Sequence, residues 1–386
     1  MLTEKTNKQF CVSKLGAKFL ILTTHIFIFR SETTQLLDLL TKSGKMNWPS
    51  LIVAVLLGVS AASAFSFTLV YEWSEAEFFG AAKNAKNDAG PIVPSSMVVY
   101  GDRIFFGFPN SSSRGLPRVA YAWLPGANNA ENHLSTRLYR LQTDKIGANC
   151  HAVQGVIDLK TDELGRLWVL DGGSRNCQPT FRIFDLKNND SLIQVHPLAG
   201  NPRNIINVMS VDVLNDTFSL VSEWSSEFFI FALKANKTRT IDTKTGPFSK
   251  GQDGVKDAAW MIISPQNNLL GYACSFQCHE IFFVDDTKKP ISVTPIGTLS
   301  SDSKGMLMDK NGVLYFVHEK EKCVTAWDTK IPFNEEMLHK FETDVDSIIY
   351  TLDGADNLWL LSHDASSSRF FLHRGSNSTD VANSTN

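Results

Sequence analysis

Gly165-Arg166-Leu167-Trp168-Val169 places a turn glycine and a cation ahead of three unbroken apolar residues. A run this short is a strand length, and apolar residues at every position suit a strand covered on both faces. The same shape returns along the chain as Asp102-Arg103-Ile104-Phe105-Phe106, Asp216-Thr217-Phe218-Ser219-Leu220 and Asn268-Leu269-Leu270-Gly271-Tyr272. It returns twice more as Gly312-Val313-Leu314-Tyr315-Phe316 and Asp356-Asn357-Leu358-Trp359-Leu360. Anchored on the fourth residue, the repeats fall at 105, 168, 219, 271, 315 and 359.

Each anchor run is followed by a second apolar strand, at Val119–Trp123, Phe181–Leu186, Phe228–Leu233, Ile281–Val284, Val324–Trp327 and Phe370–Leu372. Further strand-like runs precede the anchors, among them Met97–Tyr100, Val208–Leu214, Trp260–Ile263 and Ile348–Leu352. No long stretch shows the 3.6-residue apolar period of a helix. Six units of about 50 residues, each of three or four short strands, predict an all-β chain folded as a six-bladed β-propeller. A parallel β-helix is the other candidate, but its rungs are much shorter than these units. A ring needs closing, and Phe67–Trp73 is the expected extra strand of the last blade.

The sequence of 386 residues carries 37 Lys+Arg against 40 Asp+Glu, a net charge of −3. That balance excludes a basic nucleic-acid-binding face. From Met46 the chain reads as a secretory signal, with an apolar run at Leu51–Val59 and small residues at Ala62-Ser63-Ala64. Cleavage is expected after Ala64, so that 46–64 is the signal, 1–45 an extension ahead of the true start, and 65–386 one propeller domain with a polar glycosylatable tail. The apolar run is shorter than a membrane span, which leaves no span once the signal is removed. Residues 1–64 hold seven bases and three acids, so their loss carries the net charge from −3 to −7. An acidic protein favours cationic ligands.

Six Asn-x-Ser/Thr sequons stand at Asn110, Asn189, Asn215, Asn236, Asn377 and Asn383, and each is a candidate glycan site in an exported, extracellular chain. Of the six cysteines, Cys11 falls in the segment expected to be lost. In an up-and-down blade, the loops between blades and those between second and third strands share a face. That predicts a Cys150–Cys177 disulfide and a Cys278–Cys323 disulfide, with Cys274 left as a buried thiol. Cys274, Cys278 and His279 lack a second cluster to complete four ligands, so neither metal nor cofactor is expected.

Beyond the repeat itself, particular strings resemble a known family. Arg103-Ile-Phe-Phe-Gly-Phe-Pro109 with Gly115-Leu-Pro117, Asp162 with Arg166-Leu-Trp-Val-Leu-Asp171, and Phe184-Asp-Leu186 resemble the signature of the insect Yellow/major royal jelly protein family. Ala326-Trp-Asp-Thr329 and Asn357-Leu-Trp-Leu-Leu-Ser362 continue it in order. The resemblance implies a secreted six-bladed propeller. Leu164 and Ala326 stand where family members usually carry Cys, so the family's disulfide pattern does not transfer.

The resemblance implies three functions. One is a salivary binder of biogenic amines, which needs a carboxylate or carbonyl for the ammonium and an aromatic wall for the ring. In such binders an Asn follows the Trp-containing strand of the last blade, with an aromatic two residues on; here those positions hold His363 and Ala365. The acidic Asp344 and Asp346 remain as candidates for the ammonium. The second function is dopachrome conversion, a tautomerisation requiring a base near neutral pH, for which His363 beside Ser347 is the candidate. The third is a non-catalytic protein of cuticle, eggshell or pigment. The reading adopted here is a secreted protein linked to melanin, cuticle or eggshell pigmentation and hardening, with a small aromatic amine or catechol as its ligand. Gln154, Asn207 and Ser303, each 12–14 residues before its anchor, are placed with Ser347 at the same mouth of the ring.

Overall fold

The computed structural model describes residues 65–74, 77, 93–109, 118–125, 139–141, 150–198, 205–212, 217–222, 227–232, 237–242, 258–264, 267–275, 279–285, 287–288, 292–318, 320–343 and 347–377. The expected extension and signal lie outside these residues. Strand β1 (Phe65–Ser74) comes first in the chain. Blade one follows with β2 (Ser96–Tyr100), β3 (Arg103–Gly107), β4 (Val119–Trp123) and β5 (Tyr139–Arg140). Blade two holds β6 (Val156–Thr161), β7 (Arg166–Asp171), β8 (Thr180–Asp185) and β9 (Ser191–Pro197). Blade three holds β10 (Ile205–Asp212), β11 (Thr217–Ser222), β12 (Glu227–Ala232) and β13 (Lys237–Asp242). Blade four holds β14 (Ala258–Ser264), β15 (Asn267–Ser275), β16 (Glu280–Asp285) and β17 (Ser292–Thr298). Blade five holds β18 (Met306–Met308), β19 (Val313–His318), β20 (Cys323–Asp328) and β21 (His339–Glu342). Blade six is built from β22 (Ser347–Leu352), β23 (Leu358–Asp364) and β24 (Arg369–Asn377), with β1 as its fourth strand.

These are six four-stranded antiparallel sheets. Their first strands touch in the cycle β2, β6, β10, β14, β18, β22 and back to β2. The chain is a six-bladed β-propeller. Every anchor run is the second strand of its blade, where neighbours flank it on both sides.

The unbroken apolar character of those strands has a direct cause. Successive side chains of a strand point to opposite faces, and here each face packs on a different neighbouring blade. Phe105 joins Val156, Leu167 and Val169 in the seam between blades one and two, whereas Ile104 and Phe106 join Trp359 and Leu361 in the seam between blades six and one. Leu314 and Phe316 enter the seam shared with blade four, and Tyr315 and Val317 enter the seam shared with blade six. A polar residue in the middle of either face would lose water and gain nothing, and Ile104–Phe106, Leu167–Val169, Leu314–Val317 and Leu358–Leu361 are aliphatic or aromatic throughout.

The ring closes through β1, which pairs antiparallel with β24 from Phe65↔Asn377 to Ser74↔Arg369. Trp73, fully buried, packs in the seam between the last and first blades, with its ring edge-on to Phe106 at 6.1 Å. The Tyr71 hydroxyl donates to the Trp123 carbonyl of blade one at 2.5 Å. One strand thereby holds both ends of the circle together. Among the described residues, no helix is long and apolar enough to cross a membrane.

Candidate functional site

In such blades the beginnings of the inner strands and the ends of the second strands meet on one face, the mouth. The first two blades display it. The Ser95 hydroxyl donates to the Val156 carbonyl at 2.7 Å, the Val156 N–H to Phe108 O at 2.8 Å, and the Gly172 N–H to Gly155 O at 2.8 Å.

At blade two the mouth is held by a buried ion pair. Asp171 ends β7 at 1% exposure, and Arg182 on β8 is 2% exposed. The Arg182 Nε donates to Asp171 Oδ2 at 3.3 Å, and its other nitrogens reach the carbonyls of Cys150, His151 and Ala152 at 2.7–3.1 Å. The Asp171 carboxylate also accepts from the backbone N–H groups of Gln154, Gly155 and Gly173 at 2.9–3.1 Å. Charge-assisted bonds on every side offset the desolvation that a buried pair suffers. The loop 150–155 is fixed as a result, and the Cys150–Cys177 disulfide anchors its first residue.

The second expected bridge is corrected. Cys323 is a free, buried thiol and Cys274 is disulfide-bonded, so the left-over thiol is Cys323 and not Cys274. Cys323 opens β20 inside its blade, paired in register with His318 and Glu342, so its thiol stays within blade five, away from any bridge across the face. Burial, the largest influence, raises its pKa. Cys278 lies outside the described residues.

Blade five contributes His318, 2% exposed at the end of β19. Its Nδ1 lies 3.1 Å from the Asp302 carbonyl and 2.9 Å from Ser301 Oγ, and its Nε2 lies 2.9 Å from Thr325 Oγ1. A carbonyl only accepts, which assigns the proton to Nδ1 and leaves Nε2 to accept from the Thr325 hydroxyl. The ring is neutral in this arrangement, and burial holds its pKa below the usual histidine value. Nearer solvent, Asp302 pairs with both His279 and Lys320, joining loops of blades four and five across the mouth.

The inner strands carry a further polar group. Asp158 on β6, 8% exposed, accepts from the Ser96 hydroxyl of β2 at 2.6 Å and from the Leu159 N–H at 2.8 Å, with Lys160 Nζ at 3.5 Å. Tyr350 on β22, two strands around the ring from β6, has a buried hydroxyl with no hydrogen-bond partner. Burial first, and then the Asp158 charge, holds that phenol protonated far above the ordinary tyrosine range.

The residues expected from sequence fall as follows. Gln154 sits just before β6, where its Nε2 donates to Ala152 O at 2.9 Å. Ser303, 3% exposed, donates to Gly305 O at 2.8 Å and lies 3.1 Å from Val317 O, which ties the start of β18 to the end of β19. Ser347 begins β22 opposite Ser362, and Asn207 is the third residue of β10. His363 is half-buried near the end of β23 and packs on Phe370 with ring centroids 4.5 Å apart. Asp344 and Asp346 lie outside the described residues. Of the sequons, Asn189 lies in the turn before β9 and Asn377 ends β24, whereas Asn110, Asn215, Asn236 and Asn383 lie outside the described residues.

Sequence reasoning missed Asp171, Arg182, Asp158 and Tyr350. The first carried a visible signal, a carboxylate closing an otherwise apolar strand. The others became partners only through contacts between strands far apart in sequence.

A family model described as Major royal jelly protein matches residues 283–381. Major royal jelly protein 5 of Apis mellifera is 22% identical over 323 residues, covering 71% of this chain and 52% of that protein. Protein yellow of Drosophila melanogaster is 21% identical over 367 residues, covering 81% of this chain and 67% of that protein. The chain spans about half the length of the royal jelly protein it matches. Among solved structures, it is similar to virginiamycin B lyase from Staphylococcus aureus, with a TM-score of 0.45, 11% identity, and coverage of 76% of this chain and 82% of the other.

Proposed function

We propose, from the premise that this chain belongs to the major royal jelly protein and Yellow family, that it is a secreted protein of melanin, cuticle or eggshell pigmentation and hardening that binds a small aromatic amine or catechol. The observation that supports the binding part is the buried Tyr350 hydroxyl, which has no hydrogen-bond partner, on an inner strand of a ring whose inner strands also carry the Asp158 carboxylate. A carboxylate receives an ammonium, a phenol hydroxyl bonds a catechol oxygen, and an aromatic ring supplies the wall. Export is supported by the Cys150–Cys177 disulfide, since such bonds persist in oxidising compartments.

Dopachrome conversion is the second reading. His363 favours it, a half-exposed imidazole at the mouth end of β23 that could take a proton from a ligand held there.

Titration calorimetry of residues 65–386 with dopamine and serotonin, beside a dopachrome-decay assay, separates the two readings. Heat without turnover, weakened at least tenfold in Asp158→Asn or Tyr350→Phe, is the expected result. Turnover abolished by His363→Ala would replace it with the enzymatic reading. Absence of both signals from the folded protein leaves the structural role alone.

A further inference from the structure

Strand β9 is the outermost strand of blade two, so one of its edges has no partner within the sheet. Its sequence is Ser191-Leu192-Ile193-Gln194-Val195-His196-Pro197, and Leu192, Ile193 and Val195 are 41%, 52% and 42% exposed. Unpaired backbone beside branched aliphatic side chains is a template for association with another chain. Other outer strands are protected by their own residues. β21 carries Lys340 and Glu342, β17 carries Pro295, and β1 has Glu72 and an irregularity between Leu69 and Tyr71. β9 has no acid, Lys or Arg, and its Pro197 comes last.

The turn leading into β9 supplies what the strand lacks. Asn189 and Asp190 take φ of 56° and 52°, and the Ser191 N–H bonds to Asn188 O at 3.1 Å, which makes a turn of the primed type within the five-residue loop that joins β8 to β9. Asp190 turns inward and binds Arg103 of blade one at 2.9 Å, which leaves Asn189 exposed at the tip. Asn189-Asp190-Ser191 is a sequon. From Asn189 to Val195 the chain rises at most about 20 Å, at ~3.3 Å per residue.

We infer that an N-linked glycan on Asn189 covers the open apolar edge of β9 and keeps the propeller from associating through it. The inference rests on the export part of the proposed function and not on its ligand. The Asn189 Nδ2 bonds to the anomeric carbon of an oligosaccharide carried on a polyprenyl diphosphate. The carbon–oxygen bond to the diphosphate breaks, the diphosphate leaves with its electron pair, and the amide proton passes to the transferase's base. The sugar is bulky and strongly hydrated, and it replaces the charges that guard the other edges.

The test is peptide mapping of the full chain secreted from insect cells, with enzymatic deglycosylation in heavy-oxygen water to mark occupied asparagines. Occupied Asn189 is expected. A secreted protein with other sequons occupied and Asn189 bare overturns this inference alone; a protein retained in the cell with no sequon occupied overturns the export reading as well. Ser191→Ala removes the sequon and keeps the turn. Sedimentation should then show association at a concentration at least tenfold lower than for the glycosylated protein. Adding Ile193→Thr and Val195→Thr should restore the monomer. Unchanged sedimentation of the Ser191→Ala protein rejects the shielding role.

Discussion

Arg182 is a fully buried cation whose guanidinium is spent on one carboxylate and three carbonyls. Arg182→Met keeps much of the volume but strands Asp171 without its counter-charge. Breaking such a pair costs about 3–5 kcal/mol. The denaturation midpoint should drop accordingly, and the Cys150–Cys177 bridge should become easier to reduce as loop 150–155 loosens. Arg182→Lys should recover little, because an ammonium cannot span the same fork of acceptors. Asp356 offers a change of the opposite sign. It sits at φ 62° where the equivalent turns of other blades have Gly165 and Gly312 at 84° and 85°. Burial is the main cause of its raised pKa. Asp356→Gly removes both penalties and should stabilise by roughly 0.5–1 kcal/mol in an equilibrium melt.

Those three turns belong to one recurring element. In blades two, five and six, Asp162, Asp309 and Asp353 each accept the backbone N–H four residues on, from Arg166, Val313 and Asn357 at 2.8–3.0 Å. Each also takes the polar hydrogen of the aromatic anchor six residues on: Trp168 at 2.7 Å, Tyr315 at 3.1 Å and Trp359 at 2.9 Å. Asp353→Ala leaves the Trp359 N–H buried without an acceptor, at a cost of about 1–3 kcal/mol, visible as a lower midpoint and altered near-ultraviolet dichroism. Tyr315→Phe deletes the donor together with the need for it and should cost no more than ~1.5 kcal/mol. The anchor repeat was legible because strands covered on both faces must be apolar throughout. The aspartate was equally present in three of the six repeats, but a single carboxylate in a turn looks like any solvated residue until its partner is seen.

For the whole molecule, closure and charge decide stability. Trp73→Ala removes a fully buried ring from the seam that joins the last blade to the first, and should cost about 3–5 kcal/mol. A chain begun at Glu75 loses β1 altogether and should fail to give the cooperative transition of one begun at Phe65. The histidines set the response to pH. Burial is the largest cause of the lowered pKa of both His318 and His373. In the unfolded chain both would bind protons at about pH 6.5. Their contribution is therefore complete above that value and is lost as pH falls through it toward the depressed folded values. The denaturation midpoint should fall between pH 7.5 and 5.5, a window above the carboxylates' ordinary range, and His318→Gln should flatten part of that slope.

By itself, the sequence determined the number of blades, the strand order within them and the strand that closes the circle. Each of these follows from local alternation of turn residues with apolar runs that only a ring of stacked sheets can cover. The Cys150–Cys177 bridge was legible for the same reason, because topology alone puts both residues on one face. Tertiary structure decided that Cys323 is the free thiol, that Arg182 and Asp171 hold the mouth, and that the Tyr350 hydroxyl is buried without a hydrogen-bond partner. Those outcomes depend on distances of a few ångströms between strands scores of residues apart, and the repeat specifies only which blade a residue occupies.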